Sequence, residues 1–222
     1  MITRLKKLIH IVSAFLFPTS CVGCEKVGNI ICDNCEQKIA FTLREEDDIY
    51  SLFNYKEELV RKLIWAFKYR GLAEAGDFFV PYLKDQLISI ISDDLLMQSY
   101  LNTNKIILIP VPMSRRRRFQ KKRNHIVHLT EAIANQNDNL DYQPKLVVKT
   151  RHTKTQVACK NRAERLINLK DAFMVADKKA VQNKICLIID DIVTTGTTMT
   201  EIRKILLTAG ARQVLGLAIA RG

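Results

Sequence analysis

The sequence predicts an α/β protein, a parallel sheet flanked by helices, with a small four-cysteine module at its N-terminal end. Three observations carry this expectation. From Lys105 onward, short apolar runs of strand length alternate with helix-period segments, the pattern of a parallel sheet covered on both faces. Ahead of them, four of the six cysteines fall within residues 21–35 as two Cys-x-x-Cys pairs. Between these regions lies the acidic stretch 45–48, the best place for a domain boundary.

Taken in order, the chain divides into residues 1–17, 18–44 and 45–222. In the first part Arg4, Lys6 and Lys7 precede an apolar stretch that is interrupted by His10 and Ser13, is too short to span a bilayer, and lacks a small-residue cleavage pattern. An amphipathic helix is expected, with Leu5, Leu8, Ile9, Val12 and Leu16 on one face, packed on the main domain or in peripheral contact with a membrane. The middle part is the cysteine module. In the last part, strands are expected at 49–55, 106–109, 146–148, 185–189 and 214–219. Helices are expected at 57–68, 73–91, 124–135 and 198–207, with Pro81 interrupting or starting a helix and Gly210 capping the last one.

The chain has 222 residues, 47% of them hydrophobic, which excludes a disordered class. A formal net charge of +12 points to a polyanionic partner, either a phosphate backbone or an anionic lipid surface. Cys21, Cys24, Cys32 and Cys35 have the spacing of a closed tetrahedral thiolate site, for which zinc is the first choice and disulfides the alternative. Neither pair follows a thioredoxin-like strand, and Cys159 and Cys186 stand alone.

The most informative segment is Ile185-Cys-Leu-Ile-Ile-Asp-Asp-Ile-Val-Thr-Thr-Gly-Thr-Thr-Met. A loop after a buried parallel strand lies where open α/β sheets bind ligands. Backbone N–H groups at the start of the next helix favour a phosphate, and Thr194, Thr195, Thr197 and Thr198 add hydroxyl donors around Gly196. The lysine of a nucleotide P-loop is absent. Asp190 and Asp191 would repel a phosphate unless they had another partner, and ionised carboxylates are acceptors suited to a vicinal diol. Phosphate on the loop and diol on the acids imply a 5-phosphorylated ribose.

This segment resembles the phosphoribosyl pyrophosphate signature of type I phosphoribosyltransferases. The chain as a whole resembles the ComF/ComFC family of bacterial competence proteins. The residues that carry the likeness are Phe17-Pro18 leading into the two Cys-x-x-Cys pairs, Phe67-Lys68-Tyr69, and Ile109-Pro110-Val111-Pro112-Met113-Ser114. Arg151-His152-Thr153-Lys154-Thr155-Gln156, Arg162, Asn168 and Phe173 extend it.

The resemblance implies a type I phosphoribosyltransferase-like sheet that takes phosphoribosyl pyrophosphate with magnesium. Pro112 and Ser114 would lie in the turn that holds pyrophosphate, and Arg151 and Lys154 in a loop that closes over the ligand. Where the family shows an Arg-Gly-Phe-Asn-Gln run, this chain reads Lys121-Lys122-Arg123-Asn124-His125, of which only Asn124 survives. Arg115, Arg116, Arg117, Arg118, Lys121, Lys122 and Arg123 form a cationic run suited to nucleic acid or another polyanion.

Two functions follow from the resemblance. One is a factor in DNA uptake during natural transformation, in the cytoplasm or at the inner face of the membrane. Its partners would be single-stranded DNA and a competence helicase-like ATPase. The other is an active phosphoribosyltransferase, with Asp190 and Asp191 as catalytic residues and release of pyrophosphate. No acceptor pocket is legible for the second.

Overall fold

The computed structural model describes residues 19–70, 73–113, 124–150 and 171–222. The N-terminal amphipathic segment, Ser114, the cations between 115 and 123, and the loop with Arg151 and Lys154 lie outside the described residues.

Eight strands are described: β1 (Arg44–Glu46), β2 (Ile49–Asn54), β3 (Ile106–Pro110), β4 (Leu140–Tyr142), β5 (Val147–Lys149), β6 (Phe173–Val175), β7 (Ile185–Val193) and β8 (Gln213–Arg221). Six form one sheet in the order β1-β2-β8-β7-β3-β4, parallel except for β1. The central pair β7 and β8 has few exposed positions, as expected of strands covered on both faces.

The helical elements are α1 (Asp33–Glu36), α2 (Glu58–Trp65), a π-helical turn (Ala66–Arg70), α3 (Ala73–Asp77), α4 (Val80–Asp93), α5 (Leu95–Leu101), α6 (His125–Ala134), α7 (Lys178–Val181) and α8 (Thr197–Thr208). They divide between two cores. Ile185, Leu187 and Ile189 of β7 face the first core, with Leu63 of α2, Leu83 of α4 and Leu129 of α6. Cys186 and Ile188 face the second, with Ile202 and Leu206 of α8 and Phe173 of β6. The strand's alternation thus assigns each residue to one layer.

Four expectations change. The strand expected at 146–148 is β5 at 147–149, and it leaves the parallel sheet to pair antiparallel with β6. Only residues 143–146 separate it from β4, far fewer than a parallel crossover requires. The strand expected at 185–189 runs on to Val193 and so includes both acids. The 73–91 run divides into α3 and α4, with Pro81 in the first turn of α4, where no intrahelical N–H bond is lost. The helix expected to end at 68 passes into the π-helical turn instead.

The acidic stretch 45–48 is part of a hairpin. Asp47 and Asp48 have φ of 56° and 58°, the left-handed pair of a two-residue turn joining β1 to β2. Glu46 pairs with Arg221 and Asp48 with Arg203, which offsets the low strand propensity of so many acids. The cysteine module rests on the main sheet's first core: Cys21, Ile30, Ile31 and Cys35 share it with Leu52 and Phe53. Tyr82 Oη of α4 donates to Glu36 Oε1 at 2.7 Å, and Thr19 Oγ1 to Glu74 Oε2 at 3.1 Å.

Candidate functional site

β7 delivers the chain to a three-residue turn, Thr194-Thr195-Gly196, from which α8 starts. Gly196 is the N-cap, with φ 70° and ψ −8°. A Cβ there would meet nothing nearer than Ile49 Cδ1 at 3.5 Å, so the left-handed backbone rather than crowding calls for glycine. The hydroxyls of Thr195 and Thr197 lie 2.7 Å apart, and Thr200 Oγ1 donates to the Gly196 carbonyl at 3.1 Å. Asp190, Thr194, Thr195, Gly196, Thr197 and Thr198 line one concavity at the carboxyl end of the sheet. Six of the residues expected to hold the ligand are therefore together. Pro112 follows neighbouring β3 and does not line this concavity.

The two acids face opposite layers. Asp190 faces the loop; Asp191, one residue on, is buried on the other side against the π-helical turn and α6. Lys68 Nζ donates to Asp191 Oδ1 at 2.9 Å, and His125 Nε2 approaches Asp191 Oδ2 at 3.3 Å. Beneath them the Phe67 ring packs edge-on against His125, with centroids 5.1 Å apart. α3 approaches that ring so closely that a Cβ at Gly76 would stand 2.4 Å from Phe67 Cε2. Gly76, Phe67, His125, Asp191 and Lys68 thus form one packed cluster.

Lys68 and His125 were not singled out as site residues from the sequence. A signal for Lys68 existed: at helical spacing it falls on one face with the buried Ile64 and stands next to the buried Phe67, and a cation among apolar side chains needs a counter-charge. Nothing local marks His125, because its partner lies 66 positions further along the chain.

The acids also differ in electrostatics. Burial raises the Asp191 carboxyl, but the His125 hydrogen bond and the Lys68 charge outweigh it and hold the group below its ordinary value. Burial and then the Asp191 charge push Asp190 up to about 8, against the opposing pull of the Asp191 N–H, which donates to Asp190 Oδ1 at 2.8 Å, and of Lys68.

Between the ordinary value of 3.8 and about 8, the folded chain therefore keeps a proton that the unfolded chain has lost. The contribution of Asp190 to stability is full below the first value and declines as pH rises through the second. Asp190→Asn is expected to melt at least about 3 °C higher than the wild type at pH 8, with the difference vanishing near pH 4. A lower melting temperature at pH 8 would contradict this reading.

In the module, the sulfurs of Cys21, Cys24, Cys32 and Cys35 all lie within 4.8 Å of one another. A tetrahedron with metal–sulfur bonds of about 2.3 Å has edges of about 3.8 Å, and Cys24 Sγ and Cys32 Sγ are 3.6 Å apart. Gly23 N–H and Cys32 N–H each donate to Cys21 Sγ at 3.4 Å. Burial raises the Cys21 thiol, but backbone N–H donors, Cys24 first, bring it down to about 6, favouring the thiolate. The donor set fits a structural metal with no open position. No described helix is long and apolar enough to cross a membrane.

Residues 86–220, more than half of the chain, match the Phosphoribosyl transferase domain. The chain belongs to that family. It is 27% identical to Competence protein F of Haemophilus influenzae over 218 residues, 90% of each chain. It is also 34% identical to DNA utilization protein YhgH of Escherichia coli O157:H7 over 107 residues, 48% of this chain and 45% of that one. These relatives and the domain match support the ComF-family resemblance read from the motifs.

Among solved structures, phosphoribosylpyrophosphate synthetase from Mycobacterium smegmatis aligns with a TM-score of 0.37 at 17% identity, covering 63% of this chain and a third (33%) of that one. Hypoxanthine phosphoribosyl transferase of Trypanosoma cruzi aligns at 0.38 and 13%, covering 64% of each.

Proposed function

We propose that the chain is a ComF-like factor in DNA uptake that binds phosphoribosyl pyrophosphate, or a related ribose 5-phosphate, with magnesium at the loop between β7 and α8. The observation that carries the ligand is the concavity in which a left-handed Gly196, four threonines and Asp190 converge. The loop would take the 5-phosphate at the start of α8, and the acids would serve the ribose hydroxyls. Zinc is the proposed occupant of the four cysteines, in a structural role. The names of the two curated relatives support the DNA role, since one is a competence protein and the other a DNA utilization protein. A genetic test is replacement of Asp191 by Asn in the natural host: transformation frequency is expected to fall while protein level holds. Unchanged transformation would reject a ligand-dependent role in uptake.

Single-stranded DNA is the proposed macromolecular partner, and one surface feature favours it. Trp65 and Tyr69 are 48% and 65% exposed, with ring centroids 5.8 Å apart, on the same helical segment that carries Lys68. Exposed rings of this kind stack on unpaired bases, each worth about 1–3 kcal/mol. Trp65 is the only tryptophan, so its fluorescence reports on this place alone. Titration with oligo(dT) is expected to quench it saturably and with strong salt dependence. Replacing Arg116 and Arg117 by Ala is expected to reduce the salt slope by about 1.4. An oligonucleotide that binds with the slope unchanged would remove these arginines from the interface.

A further inference from the structure

We propose that Lys68 and His125 are positioning residues of the phosphoribosyl site, acting through Asp191. The inference rests on the ligand reading above and assigns the residues that would hold that site in order.

Asp191 is buried, and each of its oxygens has a protein partner: Lys68 on Oδ1 and His125 on Oδ2. A carboxylate oxygen has two lone pairs, so both oxygens retain one for a ligand hydroxyl while the partners set the carboxylate's plane. The two partners come from different elements, the π-helical turn and the start of α6, and both grip the strand that ends in the phosphate loop. The grip reaches Asp190 too. The Asp191 backbone N–H donates to Asp190 Oδ1, so the strand residue whose carboxylate the two partners hold also touches the acid that lines the loop concavity.

The partners are themselves held. The Phe67 ring, wedged between the Gly76 backbone and the His125 imidazole, leaves the π-helical turn little freedom to withdraw Lys68. A π-helical turn is an uncommon backbone form found disproportionately at functional sites, and here it carries the cation that meets the buried acid. In the chain, His125 stands two positions after Arg123, the last of the cations at positions 115–123. Its contact with Asp191 ties the start of α6 to the strand bearing the loop.

The test is a double-mutant cycle on affinity for magnesium phosphoribosyl pyrophosphate, using the full chain with its metal and following melting temperature in parallel. Lys68→Met is expected to weaken binding at least about tenfold in the wild-type background and to have no further effect in Asp191→Asn, because Lys68 acts only through that acid. His125→Gln, which keeps a donor, is expected to bind more tightly than His125→Ala. Lys68→Met leaves a buried carboxylate short of a partner, so Lys68→Met/Asp191→Asn, which removes both charges, guards against loss of the fold.

Lys68→Met binding as tightly as a binding-competent wild type would overturn the proposal alone. A tenfold loss that persists in the Asp191→Asn background would also overturn it, since Lys68 would then touch the ligand itself. A wild type that binds no phosphoribosyl pyrophosphate would bring down the ligand reading and this proposal with it.

Discussion

Replacing Cys35 by Ser is expected to release the metal from the cysteine module and to lower the melting temperature by about 10 °C or more. Cys35 is buried in the first core, within 4.8 Å of the other three sulfurs and beside Ile30 and Ile31. Burial and then the hydrogen bonds of Cys32, Cys21 and Cys24 push its thiol up to about 12, so without a cation this sulfur stays protonated in a crowded apolar place. A bound dication reverses that preference, deprotonating the thiol and drawing four mutually repelling sulfurs onto one centre.

The free energy of closing such sites is about 10–16 kcal/mol in small zinc peptides, and even a fraction of it converts to many degrees in a chain of this size. Because the module's core continues into that of the main sheet, the loss is expected as one cooperative shift rather than a separate early transition. Metal analysis and a melting curve check both parts. Full zinc content with an unchanged melting temperature in Cys35→Ser would reject the four-thiolate site.

The second large effect is expected at Asp191. Asp191→Asn should weaken phosphoribosyl pyrophosphate at least a hundredfold while leaving zinc content unchanged. The amide keeps the shape of the side chain but loses the charge, and one of its two acceptor oxygens becomes a donor facing Lys68 or His125. Charge-assisted hydrogen bonds contribute about 1.5–3 kcal/mol each, and the substitution disturbs two of them together with any bond to the ribose. The contacts among the module's sulfurs and its tie to α4 through Tyr82 involve no group that touches Asp191, so its metal should be indifferent to the change. Equilibrium dialysis with labelled ligand, alongside zinc analysis, separates the two effects. Equal affinity in both proteins would show that Asp191 serves the fold and not the ligand.

Much of this was legible in the sequence, for identifiable reasons. The five apolar residues opening β7 read as a buried strand because both faces are covered, and the two acids next to a Thr/Gly turn stood out against that background. The cysteine cluster was equally plain, since local spacing alone brings the four sulfurs together. β4 and β6 escaped because three residues are too few to display alternation; β5, equally short, was read only from the apolar run Leu146-Val147-Val148. β1 escaped because Glu45 and Glu46 read as linker, while the arginines that pair with Glu46 and Asp48 lie more than 150 residues away in the chain. Separation along the chain also hid the partners of Asp191, Lys68 lying 123 positions before it and His125 66. Their meeting depends on how α2, the π-helical turn and α6 pack against β7, which no local pattern encodes.

The most direct measurement is calorimetric titration of magnesium phosphoribosyl pyrophosphate into the folded, zinc-loaded chain. Saturable binding at one site per chain, competed by ribose 5-phosphate, is the expected result. No binding to protein shown to be folded and metal-loaded would contradict it, leaving the loop between β7 and α8 as scaffold and moving the search to the proposed DNA contacts around Trp65 and Tyr69.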